Sequence, residues 1–253
     1  MCRDCGCEEA SREHKLWLKG RPLRPAHPEN IPMLPRRILM EQAVLAKNIQ
    51  IAAENRRWFT ANRIRVLNLM SSPGSGKTLL LEKTVQQLAG RMKMAILAGD
   101  QSQDYDAQRL KRAGAEVLQL NTGNSCHLDA GTIQKQLGSF VQPGLDLLVI
   151  ENVGNLVCPA AFDLGESEKI ALLSATEGED KPSKYPLLFH EASLIVLTKI
   201  DLIPHLDWSL ELCEKHIRKV NARAPVLKLS ARTGEGLGSW IDFLLTRHES
   251  LVT

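Results

Sequence analysis

Little in this 253-residue chain is aromatic: four Trp, two Tyr and five Phe make up 4% of it. A nucleic-acid surface built from basic side chains interleaved with rings has no material here, and a net charge of +3 is too small to supply one by electrostatics alone. No apolar run approaches the roughly 18–20 residues that span a bilayer. The opening residues Met1-Cys2-Arg3-Asp4-Cys5 hold no apolar signal-peptide core. These absences point away from nucleic acid and from membrane insertion, and the cytoplasm is the expected compartment. Internal repeats, low-complexity tracts and a His-rich stretch are missing as well.

What is present is ordinary in bulk and uneven in distribution. A hydrophobic fraction of 43% and a charged fraction of 24% suit a globular α/β domain with an appendage. Residues 1–35 contain Pro22, Pro25, Pro28, Pro32 and Pro35, which remove backbone donors and resist helix or sheet, so this segment reads as an extended tether. The basic tract Lys15–Arg24 is diluted by Leu, Trp and Pro and reads as solvated linker. From Arg36 to about Asn62 the prolines stop, and Leu39, Ala43, Ala46, Ile49, Ile51 and Ala53 recur at roughly helical spacing among charged residues, which predicts one amphipathic leading helix. Thereafter short apolar runs alternate with helical stretches. The expected strands are Val66–Met70, Met94–Ala98, Glu116–Leu120, Leu145–Ile150, Leu194–Leu197 and Val226–Leu229, with helices such as Leu79–Leu88 and Leu210–Val220 between them. Continuous apolar strands separated by helices predict a doubly wound, mainly parallel sheet covered on both faces, within a domain spanning 36–253.

The strongest chemical signal is Ser71-Ser72-Pro73-Gly74-Ser75-Gly76-Lys77-Thr78. A phosphate-binding loop needs a strand, a glycine-rich turn, Lys, Ser or Thr, and a helix. Gly74, Ser75 and Gly76 let backbone N–H groups turn toward phosphate oxygens, Lys77 can reach the β- and γ-phosphates, and Thr78 can bind magnesium. Ser71 stands where the template has its first Gly. Glu151 ends the apolar run Leu147–Ile150, and Asp100 ends another; both are candidates for the magnesium shell. Asp104, Asp106 and Arg109 follow Asp100, where acids that merely cap a helix account for the pattern equally well. Thr198-Lys199-Ile200-Asp201 matches the guanine-selecting pattern Asn/Thr-Lys-x-Asp: the Asp201 carboxylate can accept from guanine N1 and N2, and adenine offers no such donors. Ser230-Ala231-Arg232, after the last expected strand, is placed to present backbone N–H groups to guanine O6.

The six cysteines are 2, 5, 7, 126, 158 and 213. Cys2, Cys5 and Cys7 crowd three thiols into a span short enough to wrap one ion, with the terminal amine or His14 as a fourth donor; zinc and nickel both fit, and so does a tail of reactive thiols. Cys126-His127 and Cys158 follow two different expected strands on the nucleotide side of the sheet. Residue type alone accounts for them as a buried Cys pair with a helix-capping His. As ligands they leave a shell incomplete unless a homodimer shares it. Cys213 reads as core.

Taken together, Met1–Cys7, Ser71–Thr78, Gly99-Asp100-Gln101, Asn121-Thr122-Gly123, Cys126–Ala130, Glu151–Pro159 and Phe162–Glu166 resemble the hydrogenase maturation nickel GTPases, the HypB family, over nearly the whole chain. The resemblance implies a SIMIBI-class GTPase delivering nickel to the large subunit of [NiFe]-hydrogenase, with a zinc-binding partner of the HypA family. It implies a nickel site at Cys2, Cys5 and Cys7, and a nickel or zinc site at Cys126, His127 and Cys158 on a GTP-dependent homodimer interface. Lys77, Asp100 and Glu151 would serve hydrolysis, with Thr78, Asp100 and Glu151 around magnesium. Thr198 departs from the usual Asn. No Arg or Gln is evidently placed to direct water, so slow intrinsic turnover is expected. A metal-storage protein with a vestigial nucleotide site is the alternative, and an ATP-dependent P-loop enzyme a third reading that hinges on Asp201.

Overall fold

The computed structural model describes residues 36–100, 105–123 and 126–252, with backbone alone for 36–41, 100, 105 and 247–252. Cys2, Cys5, Cys7, His14 and the proline-rich tether therefore lie outside the described residues, as do Asp104 and the Asp100 side chain. Gln42–Thr253 forms one compact unit.

The leading helix α1 (Arg36–Ala61) precedes β1 (Arg65–Ser71), α2 (Lys77–Leu88), β2 (Met94–Asp100), α3 (Tyr105–Arg112) and β3 (Glu116–Asn121). Then come α4 (Ala130–Gln134), β4 (Leu147–Glu151), α5 (Cys158–Ala161), β5 (Glu168–Ser174), α6 (Lys181–Lys184) and α7 (Pro186–Glu191). The chain ends with β6 (Leu194–Thr198), a 3-10 turn (Ile200–His205), α8 (Leu210–Val220), β7 (Val226–Lys228) and α9 (Leu237–Val252). The sheet order is β3-β2-β4-β1-β5-β6-β7, and every pairing is parallel. The chain builds first to one side of β1 and then crosses to the other, so β1 stands at the topological switch point.

Both faces of the sheet are covered, which is why the strands read as continuous apolar runs. Along β1 the side chains alternate: Leu67 and Leu69 join α2 and α9 on one face, while Val66 joins Phe59 of α1 on the other. Burying each such side chain stabilises the fold by about 1.5–3 kcal/mol. Met70, Ala171 and Leu197 pack with α7 and α8, where Cys213 is fully buried. Gly165 (φ +91°) lets the loop before β5 lie directly on α1: a Cβ there would meet the Ala52 carbonyl at 2.7 Å.

All six expected strands form, with ends shifted by at most two residues. The seventh, β5, is not among them, although it is a central strand paired with β1 from Leu67↔Glu168 to Ser71↔Leu172. Its opening Glu168-Lys169 reads as surface. In the fold, Glu168 is buried because Arg65 meets it at 2.5 Å and also donates to the Leu244 carbonyl at 2.8 Å. An ion pair that hides a charge inside a strand defeats hydropathy patterning.

Candidate functional site

Because every strand is parallel, the carboxyl ends of β1, β2, β4 and β6 share one edge of the sheet, and the polar residues of the motifs converge there. The turn after β1 wraps into the first turn of α2, with Gly74 (φ +71°) and Gly76 (φ +96°) in the left-handed region that side chains disfavour. Backbone N–H groups at that helix start carry partial positive charge. Ser71 is fully buried, and its hydroxyl accepts from Lys77 Nζ (2.6 Å) and Ser75 Oγ (2.5 Å) while donating to the Ser72 carbonyl (2.8 Å). The residue that departs from the glycine template thus holds the lysine across the loop. Thr78 Oγ1 donates to Glu151 Oε1 at 2.8 Å, and both residues are buried. A hydroxyl and a carboxylate meeting at the end of β4 are hard oxygen donors of the kind magnesium prefers, so the residues fit that ion. Asp100 ends β2, next to β4 in the sheet. A cleft of ≈ 460 Å³ is lined by Gly74–Leu79, Gly99, Asp106, Arg109 and Glu151. Arg109 pairs with Glu82 at 2.9 Å and lies 3.6 Å from Asp106, so this acid joins a surface ion-pair cluster.

A second cavity of ≈ 280 Å³ adjoins the loop, lined by Gly76, Thr198, Lys199, Asp201, Ser230 and Ala231. Among the described residues the buried Oδ1 of Asp201 has no hydrogen-bond partner, an unpaired acceptor aimed where a donor would gain most. Thr198 Oγ1 donates to the Ser75 carbonyl (2.7 Å) and Lys199 Nζ to the Gly74 carbonyl (2.7 Å), fastening this loop to the phosphate loop. Lys199 itself takes φ +57° to do so. Ser230 is buried, and its hydroxyl accepts from the Thr233 N–H at 3.1 Å.

The third group stands on the β3–β4 side. Cys126, His127 and Cys158, all half-buried, bring their ligand atoms within 4.8 Å of one another. Cys126 Sγ lies 3.6 Å from His127 Nδ1, and the His127 ring stacks on Phe162 with centroids 3.8 Å apart. Burial lowers the pKa of His127, keeping a neutral imidazole, and burial with the neighbouring Cys126 pushes the Cys158 thiol up to about 11. Two sulfurs and an imidazole in one small volume suit zinc, nickel or another borderline-to-soft ion. Asn155 Oδ1 holds the start of α5 by accepting from Val157 N (2.8 Å) and Cys158 N (3.4 Å).

Sequence reasoning passed over several contributors. Glu177 accepts from Ser72 Oγ at 2.5 Å and from Ser174 N at 3.2 Å, bracing the phosphate loop from the segment after β5. It follows the strand that went unread. Phe162 was legible only inside a family motif, since a lone aromatic carries no signal of stacking on a histidine.

Residues 65–228 match the family described as CobW/HypB/UreG, nucleotide-binding domain. The hydrogenase maturation factor HypB of Azotobacter vinelandii is 52% identical over 209 residues, which cover 83% of this chain and 69% of that one. The crystal structure of HypB from Helicobacter pylori in complex with nickel is similar at 35% identity and a TM-score of 0.75, covering 81% of this chain and 96% of its own. The crystal structure of the hydrogenase maturation factor HypB from Archaeoglobus fulgidus gives 37% identity and a TM-score of 0.76, with 80% and 99% covered.

Proposed function

This chain belongs to the CobW/HypB/UreG family, among its HypB hydrogenase maturation factors, and from that premise we propose that it is a GTP-hydrolysing nickel metallochaperone. The observation that carries the reading is the stretch Glu151–Cys158. It begins on the carboxylate bonded to the phosphate-loop Thr78 and ends on a ligand of the cysteine–histidine triad. One segment of backbone therefore touches both chemistries.

In this reading Gly74–Thr78 cradle the phosphates, Lys77 leaves Ser71 for the phosphate oxygens, and Asp201 accepts from guanine with Ser230 and Ala231 closing the cavity. Thr78, Asp100 and Glu151 would hold magnesium, which when bound neutralises charge on the β- and γ-phosphates. Cys126, His127 and Cys158 would carry nickel as cargo, with zinc as competitor. Three ligands leave the shell short, and Val157 beside Cys158 is 58% exposed, so a second copy meeting this rim would complete the donors and cover the valine. GTP would favour that homodimer and hydrolysis would release it. Cys2, Cys5 and Cys7 would form a separate nickel site, and a HypA-family protein and the hydrogenase large subunit would receive the ion in the cytoplasm.

Metal content and oligomeric mass of the purified protein, measured with GDP and with a non-hydrolysable GTP analogue, test this directly. The expected result is a dimer with the analogue and a metal occupancy at the triad that differs between the two states. A monomer with identical metal content in both states would refute the switch.

A further inference from the structure

Three buried polar side chains run as one hydrogen-bonded line through the sheet. Asn152, Asn68 and Glu166 are 1%, 0% and 4% exposed. Asn152 Oδ1 accepts from Val153 N (2.9 Å) and from Leu128 N (3.3 Å). Its Nδ2 donates to Asn68 Oδ1 at 3.2 Å, and Asn68 Nδ2 donates to Glu166 Oε1 at 3.1 Å. Glu166 Oε2 then accepts from Leu164 N at 2.6 Å.

The ends and the origin of this line decide its meaning. Leu128 directly follows His127, and Leu164 lies just beyond Phe162, the ring on which His127 stacks. Asn152 directly follows Glu151, the partner of Thr78. The line thus holds the backbone beside His127 at one end and the backbone just beyond its ring partner Phe162 at the other, from a point adjoining the phosphate loop. The same segment touches that loop again at Gly154, where a Cβ would meet Pro73 at 2.9 Å.

Asn152 and Glu166 satisfy backbone N–H groups, but Asn68, which joins them, bonds only to their side chains. Asn68 sits mid-strand in β1, between Leu67 and Leu69, where an apolar residue would avoid desolvating an amide. Nor can the line rearrange at little cost. Turning the Asn68 amide would set oxygen against Glu166 Oε1 and N–H against Asn152 Nδ2. A hydrogen-bonded network in a close-packed interior passes a displacement on rather than absorbing it.

We propose that the Asn68–Asn152–Glu166 line is the coupling element through which occupancy of the phosphate loop sets metal affinity at Cys126, His127 and Cys158. The proposal rests on the metallochaperone reading above. Asn68 is a positioning residue: it touches neither phosphate loop nor triad. By linkage, the factor by which nucleotide state changes metal affinity must equal the factor by which metal changes the relative affinity for the two nucleotides.

The test uses the full chain with Cys2→Ala, Cys5→Ala and Cys7→Ala, so that only the triad reports. Nickel affinity is measured by chelator competition in the GDP form and in the GTP-analogue form, and the ratio of the two is the readout. The parent is expected to show a ratio of at least about fivefold. Asn68→Ala is expected to bring the ratio within about twofold of one while GDP affinity is kept. Asn68→Leu, which breaks the same two side-chain bonds while keeping the side chain's bulk in the core, is measured in parallel and serves alone should Asn68→Ala fail to fold. A folded variant that keeps the parent's ratio overturns the coupling line and leaves the metallochaperone reading intact. A parent whose own ratio is one overturns both.

Discussion

The phosphate loop and the cysteine–histidine triad are joined by one short segment, yet they are built on different physical terms. The loop is contiguous from Ser71 to Thr78, buried except around Pro73, Gly74 and Gly76, and braced from four directions by Glu151, Glu177, Thr198 and Lys199. Its charged and hydroxyl groups meet partners within it or around it. The triad is assembled from two loops far apart in sequence and is half-exposed, and its donors crowd one another without strong mutual bonds. The first is a rigid cradle whose geometry is set in advance. The second is a cluster that gains most from an ion, because a cation alone satisfies two sulfurs and an imidazole at once. Such a pairing would let a site that gains from an ion be governed by one already formed.

The two sites should respond most differently to a change at Lys77. Lys77→Ala removes the only loop side chain that can follow charge onto the phosphates, and turnover is expected to fall at least about a thousandfold. Nickel affinity at the triad without nucleotide should stay within about threefold, because Lys77 touches none of the triad and no phosphate is bound for it to engage. Single-turnover hydrolysis and chelator competition measure the two. Unchanged turnover would sink the assignment of the loop.

Next in size is Asp201→Asn. Its buried Oδ1 has no partner among the described residues, so a base with matching donors gains strongly there and one without them leaves it stranded. The preference for GTP over ATP, read as competition for one fluorescent nucleotide, should drop by about a hundredfold. Equal affinity of the unaltered protein for both nucleotides would instead favour adenine chemistry.

The two sites also differ in how far the sequence exposes them. A phosphate loop is legible because its parts are adjacent in the chain and each residue type has one role there. The triad is not: Cys126-His127 and Cys158 look like unrelated loop residues until the sheet sets β3 and β4 on either side of β2. The expected strand ends put them on one side of the sheet, where a buried Cys pair with a capping His explains them as well, and only the resemblance to a known family turns them into a metal site. β5 is hard to read for a related reason, since Glu168 at its start is buried against Arg65, a partner distant in sequence. Asn68 and Asn152 carry no signal of their own, because a hydrogen-bonded line through a core has no period.

The triad's dependence on an ion sharpens with pH. Cys158, pushed up to about 11, is protonated through the neutral range and enters a metal shell as thiolate. Binding therefore releases that proton, so nickel affinity should rise about tenfold per pH unit below that pKa from Cys158 alone. His127, lowered by burial, is already neutral at pH 7 and adds nothing there. Isothermal titration in buffers of different ionisation enthalpy counts the protons, and Cys158→Ser should remove one from the count along with about a hundredfold in affinity. Affinity that does not change between pH 6 and 8 would exclude Cys158 as a ligand.

The smallest expected effect isolates orientation from ligation. Phe162 donates nothing to an ion, but its ring lies 3.8 Å from that of His127 at a tilt of 33° and limits how the imidazole can turn. Aromatic pairs contribute about 0.5–1.5 kcal/mol beyond burial, so Phe162→Leu should weaken nickel binding by about two- to tenfold with little change in turnover. Replacing the ring with Leu keeps an apolar side chain over His127 while removing the quadrupole and the flat surface. If Phe162→Leu matched the loss seen with Cys158→Ser, Phe162 would be holding the whole loop rather than one ring. If it cost nothing, the ion itself would orient His127, and the triad would be even less preformed than its contrast with the phosphate loop already requires.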